Sequence, residues 1–217
     1  MEPEKRLYRI LIIDDHHIIR TGIKLILGER MKVQTEEASN SSTAIEKVKA
    51  WYFDLVVLDI NMPDNNGFQL LTKLLILQPE LRILIFSMNP EEHFAKRFIK
   101  MGAKGYLNKE ASDDEFIKAV NIILAGKKYL SFAVTQSLIN DTTNEKSDKP
   151  FDLLSEREFE VAISLVKGKT LSEIADEMNL HSSTVGTYKT RILEKLNIQN
   201  VIELNQLALL YDIKISR

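Results

Sequence analysis

Three uninterrupted apolar runs punctuate the first half of the chain: Ile10–Ile13, Leu55–Leu58 and Ile83–Phe86. A strand that is apolar at every position is buried on both faces, the habit of a parallel sheet covered by helices. Lys32–Ala38 and Gly105–Leu107 read as two weaker strands. Helical spacing fills the stretches between, at about 17–29, 41–51, 67–78, 91–101 and 113–125. Five strand–helix repeats within about 128 residues predict an α/β doubly wound, five-stranded parallel sheet with right-handed crossovers. The alternation fades after Ser131. Residues 140–150 carry no large apolar side chain and close on Pro150, the composition of a linker, with a short helix expected before it at about 132–139.

From Phe151 onward every segment has helical period. Ser155 with Glu158 three residues later is a capping-box start, and Gly168 is a plausible stop. A short helix is predicted over 171–178, a tight turn over 179–181, a longer helix from about 183 to 196 and a last one near 201–211. The expected division is 1–128, a linker at 129–151, and a small all-α domain over 152–217.

Composition narrows the class. The 217 residues are 44% apolar and 28% charged, with no cysteine and a net charge of −2. Those fractions exclude a disordered chain, and the missing thiol excludes disulfides, thiolate metal sites and a cysteine nucleophile. The start Met1–Arg6 lacks the layout of a secretion signal, and no apolar run approaches the roughly 18 residues of a membrane span. A reduced, cytoplasmic protein with no membrane partner is expected.

Ligands of open α/β sheets bind outside the carboxyl ends of the strands. Asp14 and Asp15 follow the first run there, Asp59 the third and Ser87 the fourth, while the fifth strand leads into Lys109. A lone Asp at such a place is usually a helix cap or a loop residue. Five suitable residue types at successive strand ends form a constellation instead. Carboxylates 4 Å apart repel by about 4 kcal/mol at an effective dielectric near 20, so a crowded trio calls for a cation. With only hard oxygen donors in the cluster, Mg²⁺ fits better than zinc. His16 and His17 are neighbours in sequence and do not share a helix face, which speaks against a metal role for the pair. Mg²⁺ favours bridging carboxylates to a phosphoryl group, a carboxylate can attack phosphorus, and Lys109 and Ser87 can hold phosphoryl oxygens. The Asn61 carbonyl is available beside the metal.

Residues 8–125 resemble the receiver domain of bacterial two-component response regulators, a flavodoxin-like fold. The likeness rests on Ile13-Asp-Asp15, Leu58-Asp-Ile-Asn-Met-Pro63, Gly67, Ser87 and Gly105-Tyr-Leu-Asn-Lys109. It implies that Asp59 accepts a phosphoryl group from a sensor histidine kinase. Asp15, Asp59 and the Asn61 backbone carbonyl would bind Mg²⁺ directly, and Asp14 through water. Ser87 and Tyr106 would form the switch pair, the hydroxyl moving to the phosphoryl group and the ring following inward. His17 stands where proline is common in relatives, which is expected to alter the helix start and not the chemistry.

Residues 171–196 have the layout of two helices joined by a short turn. Stepping 100° per residue from Val185 puts Tyr188, Ile192 and Leu196 on one stripe, the buried one. The opposite face carries Ser183, Gly186, Thr187, Thr190, Arg191 and Glu194. Such a helix fits a major groove, and its free N-terminal N–H groups with Ser182 and Ser183 suit phosphates. A plain helical bundle for protein contacts is the competing reading, and charge favours it: from Pro150 on, eight Lys and Arg face ten Asp and Glu. Local placement of Lys189, Arg191 and Lys195 near phosphates can outweigh that count. Leu154-Ser-Glu-Arg-Glu158, Val166, Gly168, Ile174-Ala175, Thr184-Val185, Ile192 and Lys195-Leu196 resemble the LuxR-type helix-turn-helix of the NarL/FixJ class. The departures lie at Gly186, where relatives often carry lysine, and at Tyr188, where histidine is common.

Together the resemblances imply a phosphorylation-controlled transcriptional regulator that is not an enzyme. It would bind double-stranded promoter DNA through Ser182, Ser183, Thr184, Gly186, Thr187, Lys189, Thr190 and Arg191. Within the family, the last helix mediates a homodimer formed on phosphorylation. Leu204, Leu207, Ala208 and Tyr211 offer a stripe for it, which serves equally well as core. Two other readings stay open. One is output by protein contact, and the other is an aspartyl-phosphate phosphatase, against which Asn61 stands where that chemistry needs a second Asp. The polar linker permits both packed and separated domains.

Overall fold

The structure is a computed structural model that describes residues 7–63, 67–131, 134–135, 150–211 and 213. The expected helix at 132–139 and the linker at 140–149 lie almost wholly outside these residues. Strands β1 (Tyr8–Ile13), β2 (Val33–Ala38), β3 (Leu55–Leu58), β4 (Ile83–Ser87) and β5 (Gly105–Asn108) form one parallel sheet in the order β2-β1-β3-β4-β5. Helices α1 (His17–Arg30), α2 (Ser41–Ala50), α3 (Gly67–Leu77), α4 (Glu91–Lys100) and α5 (Asp113–Leu124) alternate with the strands. Each apolar run is read from both sides, because successive side chains point to opposite faces. Ile10 and Ile12 pack with Ile23 and Leu27 of α1 and Phe116 of α5. Leu11 and Ile13 pack on the other face, with Leu71 of α3 and Phe98 of α4.

The weaker pattern of β2 has a cause. It is an edge strand whose Glu36 and Glu37 keep a further strand from pairing there, held by Lys47 at 2.6 Å and Arg20 at 3.2 Å. Strand order reverses between β1 and β3, and their ends carry Asp14, Asp15 and Asp59 to that switch point.

Beyond a short 3-10 turn (Pro150–Leu153) come α6 (Glu156–Val166), α7 (Leu171–Met178), α8 (Ser182–Leu196) and α9 (Val201–Leu210). The Ser155–Glu158 capping box forms at the start of α6, and a second one, Thr170–Glu173, starts α7. Asn179 closes α7 in the left-handed region, and α8 begins at Ser182, one residue earlier than the sequence suggests. The expected stripe is buried at Val185, Ile192 and Leu196, with Tyr188 packed against it.

The ends of the expected linker are structured. Tyr129 bridges Gly105 at the sheet edge, its N–H donating to Lys104 O at 2.8 Å. Phe151 is fully buried where the two halves meet. The halves are packed together. Phe159 of α6 meets Phe68 of α3 edge-on at 6.0 Å and Phe94 of α4 at 5.1 Å. Arg97 of α4 lies 4.1 Å over the Phe159 ring, and its Nη2 donates to Phe151 O at 2.7 Å and Leu154 O at 2.9 Å.

Candidate functional site

The parallel register delivers five side chains to one edge. Asp14 and Asp59 follow paired strands, Ser87 ends β4, and the Lys109 N–H donates to Ser87 O at 3.0 Å as β5 closes. Lys109 Nζ bridges two carboxylates, 2.6 Å from Asp14 Oδ2 and 2.7 Å from Asp59 Oδ2. Asp14 and Asp59 are almost fully buried, so the lysine offsets a repulsion that water cannot screen. Burial still lifts the Asp59 carboxyl above its usual range, with Asp14 adding to the rise and Lys109 opposing it. Burial also works against the Lys109 cation, but Asp59 and Asp14 hold it above its ordinary value. Asp59 Oδ1 accepts from the Asn61 N–H at 3.0 Å, which orients the carboxylate outward from the strand.

Asp14, Asp15, Asp59 and His16 each offer a ligand atom, all within 4.8 Å of one another. Three of the four are carboxylates, and Asp15 Oδ1 is enclosed with the His16 ring nitrogen 2.9 Å away. This donor set fits a hard cation, Mg²⁺ above all. The geometry brings His16 into the cluster while His17 points into solvent from α1, as the spacing of neighbours requires.

The switch residues are linked to this cluster by a buried network. Ser87 Oγ accepts from Asn61 Nδ2 and from the Asn89 N–H, both at 3.2 Å. Asn89 Nδ2 donates to Asn61 Oδ1 at 2.9 Å, and Tyr106 OH donates to Asn89 O at 3.1 Å. Tyr106 is 1% exposed, and its burial drives the phenol far above its ordinary value. The ring therefore already sits inward, beside Phe98 on the α4 face that the second domain covers. An inward swing, expected from the sequence, has no distance left to travel in this conformation.

On α8, Ser182, Ser183, Thr187, Thr190 and Arg191 are exposed, and Thr184, Gly186 and Lys189 are partly so. The Thr187 and Thr190 hydroxyls donate back to Ser183 O at 3.1 Å and Gly186 O at 3.2 Å. The α9 stripe lies differently from a free surface. Leu204 and Ala208 are fully buried, Leu207 and Tyr211 are packed on the core, and the Tyr211 ring meets His93 of α4 at 5.5 Å. Of the two roles open to this stripe, the core one describes this conformation; the exposed apolar side chains of α9 are Ile202, Leu209 and Leu210.

Sequence reasoning passed over three residues, two at this edge and one between the halves. Arg20 Nη1 donates to Asp14 O at 2.7 Å, Asn89 joins Asn61 to Tyr106, and Arg97 ties the halves together. For Arg20 and Arg97 the signal is a polar residue at a helical position that would otherwise face the core; Asn89, in the loop between β4 and α4, carries none.

Residues 10–121 match the family described as the response regulator receiver domain, and residues 152–208 match the luxR family of bacterial regulatory proteins. The response regulator GacA of Pseudomonas protegens is 35% identical over 204 residues, spanning 92% of this chain and 94% of that protein. The response regulator UvrY of Escherichia coli K12 is 30% identical over 202 residues, spanning 92% and 93%. RcsB of Salmonella enterica serovar Typhimurium, solved bound to the promoter rprA in the presence of the phosphomimetic BeF3−, superposes with a TM-score of 0.76. That likeness covers 92% of this chain and 98% of the other at 22% identity, and it speaks for the fold.

Proposed function

The chain belongs to the two-component response regulators that join a receiver domain to a LuxR-type DNA-binding domain, phosphorylation-controlled regulators of transcription, and we propose that Asp59 is its phosphoacceptor. The observation that carries the assignment is the Lys109 ammonium, shared between the buried carboxylates of Asp14 and Asp59 at the sheet's switch point. An Asp59 oxygen forms the new O–P bond as the P–N bond to the histidine of a sensor kinase breaks, and the imidazole leaves with the bonding pair. Lys109 neutralises phosphoryl oxygens as charge builds, and Ser87 trades its bonds from Asn61 and Asn89 for one it donates to the phosphoryl group. Asp14, Asp15, Asp59 and the Asn61 carbonyl would hold Mg²⁺, which supplies charge neutralisation at the transferring group.

Ser87 and Asn89 lead directly into α4, so a shift there alters the face that carries Arg97. Promoter DNA is then engaged by two copies, with recognition helices on half-sites about one helical turn apart. Ser182, Ser183, Thr184, Gly186, Thr187, Lys189, Thr190 and Arg191 form the contact face. Leu204, Leu207, Ala208 and Tyr211 serve a dimer only if α9 leaves its present packing. We assign the receiver to 1–128, the DNA-binding domain to 152–217 and the linker to 129–151. A cytoplasmic site of action fits, since no helix among the described residues is long and apolar enough to cross a membrane. Catalytic turnover is not part of this reading: the Asn61 amide, two residues past Asp59, is occupied with Ser87 and Asn89.

Intact mass after incubation with Mg²⁺ and acetyl phosphate tests the assignment. The expected result is one added phosphoryl mass, lost with EDTA and absent from Asp59→Asn. Equal labelling of that variant would overturn it.

A further inference from the structure

Helix α6 ends against the phosphoacceptor loops. Lys167 is its C-cap, with the N–H bonded back to Ile163 O and Leu165 O, and Gly168 at φ +80° turns the chain away. The turn leaves two lysines of the DNA-binding domain, Lys167 and Lys169, lining one small cavity with Asn61 and Asn89 of the receiver. Its volume is about 10 Å³, the room of a single water. Lys169 is paired with Glu177. The Lys167 side chain has no hydrogen bond or ion pair among the described residues.

Lys167 is half-buried, and an ammonium without a counterion at the rim of a shared cavity is placed to receive one. Burial and Lys169 push the Lys167 ammonium below its ordinary value, while Asp59 and Glu177 pull it back up. Asn61, which shares the cavity with Lys167, donates its N–H to Asp59 Oδ1 at 3.0 Å, so the cavity lies beside the Asp59 loop. Lys109 already bridges Asp14 and Asp59, so a second ammonium at Lys167 can share with it the negative charge that a phosphoryl group adds.

We propose that Lys167 is a phosphoryl ligand supplied in cis by the DNA-binding domain. It closes over the group on Asp59 and fastens α6 to the loops after β3 and β4. This rests on Asp59 as the phosphoacceptor. Phosphorylation then tightens the packing of the two domains at this corner, while the recognition face of α8 stays exposed. The second domain reads the phosphoryl charge directly, beside any signal that passes through Ser87 and α4.

The test titrates the full chain with beryllium fluoride, a tetrahedral phosphoryl mimic, in excess Mg²⁺. Thermal midpoint reports binding, and hydrogen exchange of α6 reports the closure. Wild type is expected to gain both. Lys167→Gln should bind about tenfold more weakly, the order expected for losing one nearby charge in a partly buried site, and should lose the added α6 protection. Lys167→Arg should keep both. Equal binding and equal α6 protection in Lys167→Gln would overturn the proposal. So would an arginine variant no better than glutamine, which would trace the loss to packing and not to charge. Asp59→Asn separates the two levels: binding that survives it removes the phosphoacceptor assignment, and this inference with it.

Discussion

At the scale of single residues, charge and space decide what each position can do. Gly186 sits in the middle of α8, and a Cβ built there meets nothing within 4 Å. A glycine inside a helix costs about 0.5–1 kcal/mol relative to alanine. Gly186→Ala should therefore stabilise the chain by that amount in a thermal melt. Gly186→Lys should do nearly as well and add a phosphate contact on the exposed face. Its binding to DNA of arbitrary sequence should tighten, with the salt dependence steeper by about 0.9 in log–log slope. A slope unchanged from wild type would place α8 away from the phosphates. The single residues of the receiver were readable because strand ends are fixed points: the residue after an apolar run must emerge at the sheet edge, so Asp14, Asp59 and Lys109 could be placed together from the sequence. Asn89 could not be, since its role depends on Asn61 approaching from a different loop.

At the scale of elements, contacts between segments set geometry that period alone does not carry. Helix α3 begins so close to β3 that a Cβ on Gly67 would stand 2.5 Å from Ile60 Cβ and 2.8 Å from its Cα. Gly67→Ala must push Ile60, the neighbour of Asp59, off its path. A loss of roughly 1–3 kcal/mol is expected, as for other overpacked sites, together with slower labelling by acetyl phosphate; intact labelling rates would show the loop to be more compliant than its packing implies. Helix α6 shows the other limit of sequence reading. Its residues from Glu158 to Leu165 are all buried because it is covered both by its own domain and by α3 and α4, so one amphipathic stripe undercounts its core. Glu160 is caught in that double cover, and burial lifts its carboxyl above the usual value against the pull of Arg157. An acid raised in the folded state contributes stability below its unfolded pKa and loses it as pH rises through the folded one. Glu160→Gln should thus stabilise the chain at pH 7.5 by on the order of 1 kcal/mol, read as a higher thermal midpoint, and the gain should shrink as pH falls toward 4.5. A gap independent of pH would mean the glutamate is not strained.

At the scale of the whole molecule, the packing of the two domains turns on one side chain that the sequence presents as an ordinary helical arginine. The pattern of α4, Glu-Glu-His-Phe-Ala-Lys-Arg-Phe-Ile-Lys, gives no reason to bury Arg97, whose partners come from Phe151 onward: two carbonyls, the Phe159 face and Glu156 at 3.3 Å. Arg97→Ala leaves Phe151 O and Leu154 O without that donor and removes the cation over the ring. Breaking so buried a charged contact costs about 3–5 kcal/mol, more than a polar-linked pair of domains can absorb and stay closed. The radius of gyration in solution should grow, and α4 and α6 should exchange amide hydrogens faster while the core strands β1 and β3 do not. Because Lys167 acts across the same boundary, its loss should matter only while the domains are packed. Arg97→Ala and Lys167→Gln together should bind beryllium fluoride no more weakly than Arg97→Ala alone, a non-additivity a double-mutant cycle measures directly. Full additivity would separate the arginine clasp from the phosphoryl contact and make them two devices on one interface.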